Sequence, residues 1–273
     1  MNTIAKLVAC LAVATTNCIY RNWDPKEYEN SNIGQFKHAA KELSKLALHG
    51  AESILDIGCG DGKISRYMAT EYVPRGHVVG IDNSASMISF ANSHASAVNV
   101  SFQYGDACAY QSAKKFDVVT SFWCLHWTEN YAAALSNIAS LLNPGGKTLL
   151  CHVVNKHPLS VWVERVLQQE KWAPYRIDVV NKLNVPTLER VVEAIHLSGL
   201  EIENMEVKKN SEWIPFATYK QNLIATPLFE CVIEQKRVEF CNQVIEEYLP
   251  KNPLNEKGEF YHWVPVVILV LKK

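Results

Sequence analysis

Glycines at 58, 60 and 62 follow an apolar run in SILDIGCGDGK (Ser53 to Lys63), and a second apolar run, HVVGIDN (His77 to Asn83), closes with the carboxylate of Asp82. Residues of these types at this spacing can hold a nucleoside. Glycine takes positive φ and lets backbone approach a ligand closely, and a carboxylate about 20 residues beyond such a turn stands where a ribose presents its hydroxyls. The dinucleotide form of the turn, G-x-G-x-x-G, holds a pyrophosphate on helix amides. Here the third glycine comes one residue early, at Gly62, with Lys63 in the expected position, and Asp56 and Asp61 flank the loop. Two carboxylates repel a pyrophosphate, so the loop suits a ligand that carries positive charge.

These residues need elements to place them. The first run reads as a buried strand that breaks into the glycine turn and opens a helix. A helix over Ser84 to Ser96 follows, then a strand in VSFQYGDA (Val100 to Ala107), then an apolar strand with an aromatic mouth in KFDVVTSFWCLHW (Lys115 to Trp127). Next come a helix over Asn130 to Leu142, a break at NPGG (Asn143 to Gly146) and a strand in KTLLCHVV (Lys147 to Val154). Strands alternating with helical stretches predict an α/β fold, an open, mostly parallel, doubly wound sheet with helices on both faces. Ligands of such sheets lie beyond the carboxyl ends of the strands, where the winding reverses. Gly58, Gly60, Asp82, Asp106 and Phe122 all fall at carboxyl ends.

The second half reads as a helix over Pro158 to Trp172, a helix started by Thr187 and stopped by Gly199, and a strand over Leu200 to Ile214. Helices over Phe216 to Ala225 and Phe229 to Tyr248 and a buried strand over Phe260 to Lys273 complete it. Trp162, Trp172, Tyr175, Trp213, Phe216, Phe229 and Tyr248 are either walls of an apolar pocket or packing between helices. Arg165, Lys171 and Arg176 are candidates for binding further carboxylates, or ordinary surface charge.

Composition narrows the function. With 273 residues, 48% of them hydrophobic, the chain can bury a large core, and its net charge of −1 offers no general attraction for nucleic acid. Eight cysteines (10, 18, 59, 108, 124, 151, 231 and 241) show no C-x-x-C pair, and the histidines no paired ligand spacing. Neither a disulfide framework nor a metal site is expected. Residues 1–21 read as an extension, as a short export signal around LVACLAVAT (Leu7 to Thr15), or as a start codon placed early; the stretch is too short to span a bilayer as a helix.

LDIGCGDG (Leu55 to Gly62) resembles the first motif of the class I S-adenosylmethionine-dependent methyltransferases, and the resemblance covers about Trp23 to Val154. It implies seven strands, the last antiparallel and in a hairpin with the sixth at one sheet edge, with a helical cap or insertion. It also implies S-adenosyl-L-methionine as cofactor, whose ammonium and sulfonium agree with the charge argument, and a cytoplasmic enzyme. One domain is implied over 22–273, with the cofactor core in 22–154 and helical acceptor-site elements in 155–259. The cofactor-binding residues carried over are Asp56, Gly58, Cys59, Gly60, Asp82, Asn83, Met87, Asp106, Ala107 and Phe122. Asp106 and the backbone of Ala107 take the adenine.

For the acceptor, Gln35 in YENSNIGQFKHAAKEL (Tyr28 to Leu43) and Trp127 in SFWCLHW (Ser121 to Trp127) carry uncharged N–H donors suited to orienting a carboxylate. The pair resembles that of the juvenile hormone acid methyltransferases, where a glutamine and a tryptophan hold the substrate carboxylate. WDPKEY (Trp23 to Tyr28) resembles the opening of trans-aconitate methyltransferase, which also forms a carboxyl methyl ester. The leading expectation is O-methylation of a small carboxylic acid. In the alternative, His126 serves as general base for a hydroxyl, amine or ring-carbon acceptor. A third reading keeps the cofactor fold as a binding module without turnover.

Overall fold

Strand β1 (Ser53–Ile57) is buried over four of its five residues, as a strand covered on both faces must be. The computed structural model describes residues 25–26, 28, 32–155, 158–175, 185–225, 232 and 234–273. Leu7 to Thr15, the entry before Pro25, Arg176, Phe229, Cys10, Cys18 and Cys231 lie outside them. Around β1 run β2 (His77–Asp82), β3 (Val100–Tyr104), β4 (Phe116–Phe122), β5 (Leu142–Val153), β6 (Glu201–Pro215) and β7 (Glu259–Lys272). They form one seven-stranded sheet in the order β3-β2-β1-β4-β5-β7-β6. The first five strands pair in parallel, and β7 is antiparallel to both neighbours, as expected. The chain winds outward from β1 to β3 and then restarts at β4, so the winding reverses between β1 and β4.

Alternate side chains leave each strand on opposite faces, and the two faces make two apolar layers. Ile54, Val118, Leu149 and Ile268 point to one layer, with Ala39 of α1 (Ile33–Glu42) and with Met68, just past α2 (Lys63–Tyr67). Leu55, Val119, Leu150 and Leu269 point to the other. There they meet Leu135 and Ile138 of α4 (Tyr131–Leu141) and Ile195 of α6 (Leu188–Ser198). The intervening α3 (Ala85–His94) packs Ala91 on Phe102 of β3. Each fully buried Leu, Ile or Val is worth about 1.5–3 kcal/mol, so the alternation fixes the register. Side-chain oxygens start three of the helices: Ser84 accepts from Met87 N at 3.4 Å, Asn130 from Ala133 N at 2.9 Å and Thr187 from Arg190 N at 3.4 Å.

A separate apolar lobe is built by α5 (Pro158–Leu167), α7 (Phe216–Ala225) and α8 (Glu234–Tyr248). Leu159, Trp172, Tyr219, Phe240 and Tyr248 pack there around Phe260 of β7.

Two sequence expectations need correction. β5 begins at Leu142, ahead of NPGG, but the regular register starts at Lys147: the pairing with β4 jumps from Leu142 to Lys147, and Gly145 holds φ 76°, so NPGG is an irregularity inside the strand and not a break before it. Asn143 Nδ2 donates to Asp117 Oδ1 at 2.8 Å and Gly145 N donates to Lys273 O at 3.1 Å, which ties this irregular segment to β4 and to the end of the chain. The helix expected over Pro158 to Trp172 stops at Leu167, and a 3-10 segment, Glu170–Tyr175, containing Pro174, follows.

Candidate active site

The glycine loop leaves the end of β1 with Gly58, Gly60 and Gly62 at φ 74°, 53° and 78°, a region that costs a side-chain-bearing residue about 1–2 kcal/mol. A Cβ at Gly58 would stand 2.3 Å from Cys124 Sγ, so β4's exit segment closes directly over the loop. Gly58 N and Cys59 N both donate to Ile81 O, at 2.8 and 3.0 Å. Asp82, at the end of β2, accepts from Gly60 N at 3.0 Å through one oxygen and from Ser84 N at 2.9 Å through the other. Loop, β2 and the start of α3 therefore share one carboxylate, whose pKa is raised by burial. Gly105 N donates to Asp82 O at 3.0 Å, which brings Asp106 alongside. Asp106 Oδ1 accepts from Cys108 N at 2.7 Å, and Ala107 O accepts from Asn137 Nδ2 at 3.0 Å. Asn83 is exposed, Met87 and Cys59 are buried, and Phe122 packs in the apolar layer with Ala39 and Leu43.

The two aspartates read as a negative rim do other work. Asp56 is 1% exposed and accepts from Ser65 Oγ at 2.5 Å and Thr120 Oγ1 at 2.9 Å, so it ties α2 and β4 to β1 from beneath the loop. Burial lifts its pKa to about 6 against those two hydrogen bonds. Asp61 Oδ2 accepts from Asn32 Nδ2 at 2.7 Å and Oδ1 from Lys63 N at 3.1 Å, which clasps the start of α1 to the loop. Lys63, the one cation in the loop, has Nζ 3.7 Å from Asp61. That leaves Asp82 and Asp106 to carry the charge argument, and a crevice without a free loop cation fits a phosphate-free nucleoside better than a dinucleotide.

Past the end of β4, Leu125–Trp127 form a 3-10 turn, with Trp127 46% exposed. His126 is 8% exposed, lies tilted on Trp127 with ring centroids 4.7 Å apart, and has a buried Nδ1 with no hydrogen-bond partner among the described residues. Burial, with His152 nearby, pushes its pKa down to about 3. His152 is fully buried and is lowered to about 4 by burial. Its Nδ1 lies 3.0 Å from Val153 O and its Nε2 2.7 Å from Tyr131 Oη. A neutral imidazole donating from Nδ1 accepts at Nε2, so the Tyr131 hydroxyl donates.

Gln35 arrives from α1, and its Oε1 accepts from the Tyr28 hydroxyl at 2.9 Å. Helix α1 meets the exit of β4 through His38 and Trp123, whose ring centroids are 5.4 Å apart. Trp123 holds φ 57°, strained for a tryptophan, with its N donating to Cys151 O at 2.7 Å. Sequence reasoning missed Tyr28, Asn32 and Trp123; a run of helical composition and an apolar strand end give no local sign of a hydroxyl clasp or a left-handed backbone.

Most of the aromatic candidates are packing residues. Trp172 and Tyr248 are buried, Trp162 and Phe216 pack on the same lobe, and Trp213 is half exposed on the edge strand β6. The basic candidates are engaged: Arg165 Nε lies 3.8 Å from Glu247, and Lys171 Nζ 3.1 Å from Glu239. Among the described residues, no group of three or more His, Cys, Asp or Glu could hold a metal, and no helix is long and apolar enough to cross a membrane.

A family described as a methyltransferase domain matches residues 54–146, which span β1 through the glycine loop into β5. The chain is 25% identical over 232 residues to a putative methyltransferase, 235L, of Invertebrate iridescent virus 6, covering 83% of this chain and 85% of that one. It is 28% identical over 270 residues to the juvenile hormone acid O-methyltransferase of Drosophila melanogaster, covering 90% and 91%. The crystal structure of a putative methyltransferase from Bacillus halodurans shares the fold, with a TM-score of 0.63 at 17% identity over 87% of this chain and 99% of that one. With the strand order, the glycine turn and these relatives in agreement, the chain belongs to the class I S-adenosylmethionine-dependent methyltransferases.

Proposed function

We propose that this enzyme methylates the carboxylate oxygen of a small, mainly apolar acid, giving a methyl ester. When bound, the cofactor supplies an electrophilic methyl group on its sulfonium. The protein's task is then alignment and exclusion of water, because a carboxyl with pKa near 4 is already ionised at neutral pH. The observation that carries this reading is the setting of His126. Transfer to a hydroxyl calls for a base poised near working pH, whereas this imidazole is 8% exposed, lies tilted on Trp127 with its Nδ1 unpartnered among the described residues, and is held low, at about 3, by burial. Gln35 and Trp127 are the acceptor-side donors in this reading, uncharged N–H groups that orient an anion without stabilising it so strongly that attack slows.

On the donor side we assign the backbone of Gly58, Cys59 and Gly60 to the methionine part, Asp82 to the ribose hydroxyls, and Asp106 with Ala107 to the adenine. Asn83, Met87 and Phe122 belong to the walls and Asp56 to the support of the loop. The name of the Drosophila relative supports an acid oxygen as the target. The engagement of Arg165 and Lys171 with glutamates favours a mono-acid over a polyacid.

The test uses methyl-labelled adenosylmethionine with a panel of aliphatic, aromatic and tricarboxylic acids. Transferred label should be released by mild alkali, as methyl esters are. Trp127→Phe combined with Gln35→Ala should lower ester formation at least about tenfold, with adenosylhomocysteine affinity by calorimetry unchanged. Alkali-stable label, or an undiminished rate in the double variant, rejects the carboxylate reading.

A further inference from the structure

Tyr28 touches both halves of the site. Its ring lies over the glycine loop, with Cε1 3.3 Å from where a Cβ on Gly60 would stand, and its hydroxyl donates to Gln35 Oε1 at 2.9 Å. We propose that Tyr28 is a positioning residue that sets the polarity of the Gln35 carboxamide, turning its NH₂ toward an anionic acceptor while the same ring covers the donor loop.

A carboxamide has one accepting end and one donating end. With Tyr28 bound to the oxygen, the end that remains for the acceptor is Nε2, for which no partner is recorded among the described residues. Turned over, the amide would aim oxygen lone pairs at a carboxylate, and the same glutamine would prefer an alcohol or an amine. The hydroxyl keeps its proton because burial and then the nearby carboxylates of Asp61 and Asp82 all raise its pKa, so it remains a donor across the working range. Its place beside Gly60, whose N–H is held by Asp82, links the orientation of Gln35 to the order of the donor loop.

This rests on the carboxylate reading for its ligand class, but the contact is testable without turnover. In protein labelled with ¹⁵N-glutamine, the side-chain NH₂ pair of Gln35 is assigned as the one lost in Gln35→Ala. Tyr28→Phe should shift that pair and leave adenosylhomocysteine affinity within about twofold, since the ring stays. Tyr28→Ala removes the ring as well and should weaken that affinity. With the acid that the wild type methylates fastest, Tyr28→Phe should raise KM roughly fivefold to tenfold with a smaller change in kcat. The same change in a Gln35→Ala background should add nothing. An unmoved Gln35 resonance in Tyr28→Phe, or a full loss that persists without Gln35, overturns the proposal. If no acid is methylated, the carboxylate reading fails, and with it the ligand class; the resonance then decides the Tyr28–Gln35 contact alone.

Discussion

Replacing Asp56 by asparagine isolates the energetic effect of a charge buried beneath the loop. Burial raises this carboxyl from its ordinary 3.8 to about 6, opposed by hydrogen bonds from Ser65 and Thr120. A group whose folded pKa lies above its unfolded value contributes stability that is complete below the unfolded pKa and is lost as pH rises through the folded one. The difference is worth about 3 kcal/mol, lost between 3.8 and about 6. His126 and His152 run the other way. Their folded values, about 3 and about 4, lie below the ordinary 6.5, so their contribution is present above 6.5 and is lost as pH falls. The wild-type profile contains both trends, but the difference between wild type and Asp56→Asn cancels the histidines. We expect urea midpoints measured across this window to show the variant gaining on wild type by up to about 3 kcal/mol as pH rises. A difference independent of pH would refute the reasoning, since it would mean that Asp56 ionises as easily when folded as when unfolded.

Further outcomes follow from single contacts. Gly58→Ala combines a left-handed backbone with a Cβ 2.3 Å from Cys124 Sγ, and should destabilise by roughly 2–5 kcal/mol. Gly145→Ala, at φ 76° with nothing within 4 Å of its Cβ, should cost only the backbone part, about 1–2 kcal/mol; equal losses in denaturant would show that packing against Cys124 is not what excludes a side chain at position 58. Tyr131→Phe leaves Nε2 of the buried His152 without its donor and should cost about 1–3 kcal/mol in thermal or urea unfolding. An unchanged melting temperature would mean that the imidazole finds another partner.

Legibility in the sequence followed the range of the interaction. The glycine turn, the carboxylate closing β2 and the alternation of strands with helices are local patterns, and each stands where the residues placed it. Asp61 misled because its partner, Asn32, is 29 residues away, and no local pattern shows that a carboxylate beside a glycine turn is turned back onto a helix start. NPGG was read correctly as irregular, but the strand starts one residue before it, at Leu142, because partners from Asp117 and the last residue, Lys273, hold the segment in the sheet. Tyr28 carries no periodic signature, since its effect depends on a bond to Gln35 one helical entry later.

Helix α1 is anchored at both ends, at the glycine loop and at the sheet edge. At its start, Asn32 is clasped to Asp61 in the glycine loop. At its end, the buried Glu42 faces Lys45 at 3.5 Å, Lys208 at 3.5 Å and His38 at 4.0 Å, while Lys45 also pairs with Glu206. Removing one partner from a buried charge is more costly than an exposed pair is worth, so Glu42 holds α1 to β6 more firmly than surface pairing would. The helix thus bridges the loop over β1 and the far edge of the sheet, crossing the point where the winding reverses. A residue one turn into that helix, Gln35, inherits its position from both ends. Loosening either clasp should therefore displace Gln35, but only loss of the Asn32–Asp61 clasp should also disturb the glycine loop and the Asp82 contact to Gly60, because the Glu42 pairs lie at the other end of the helix.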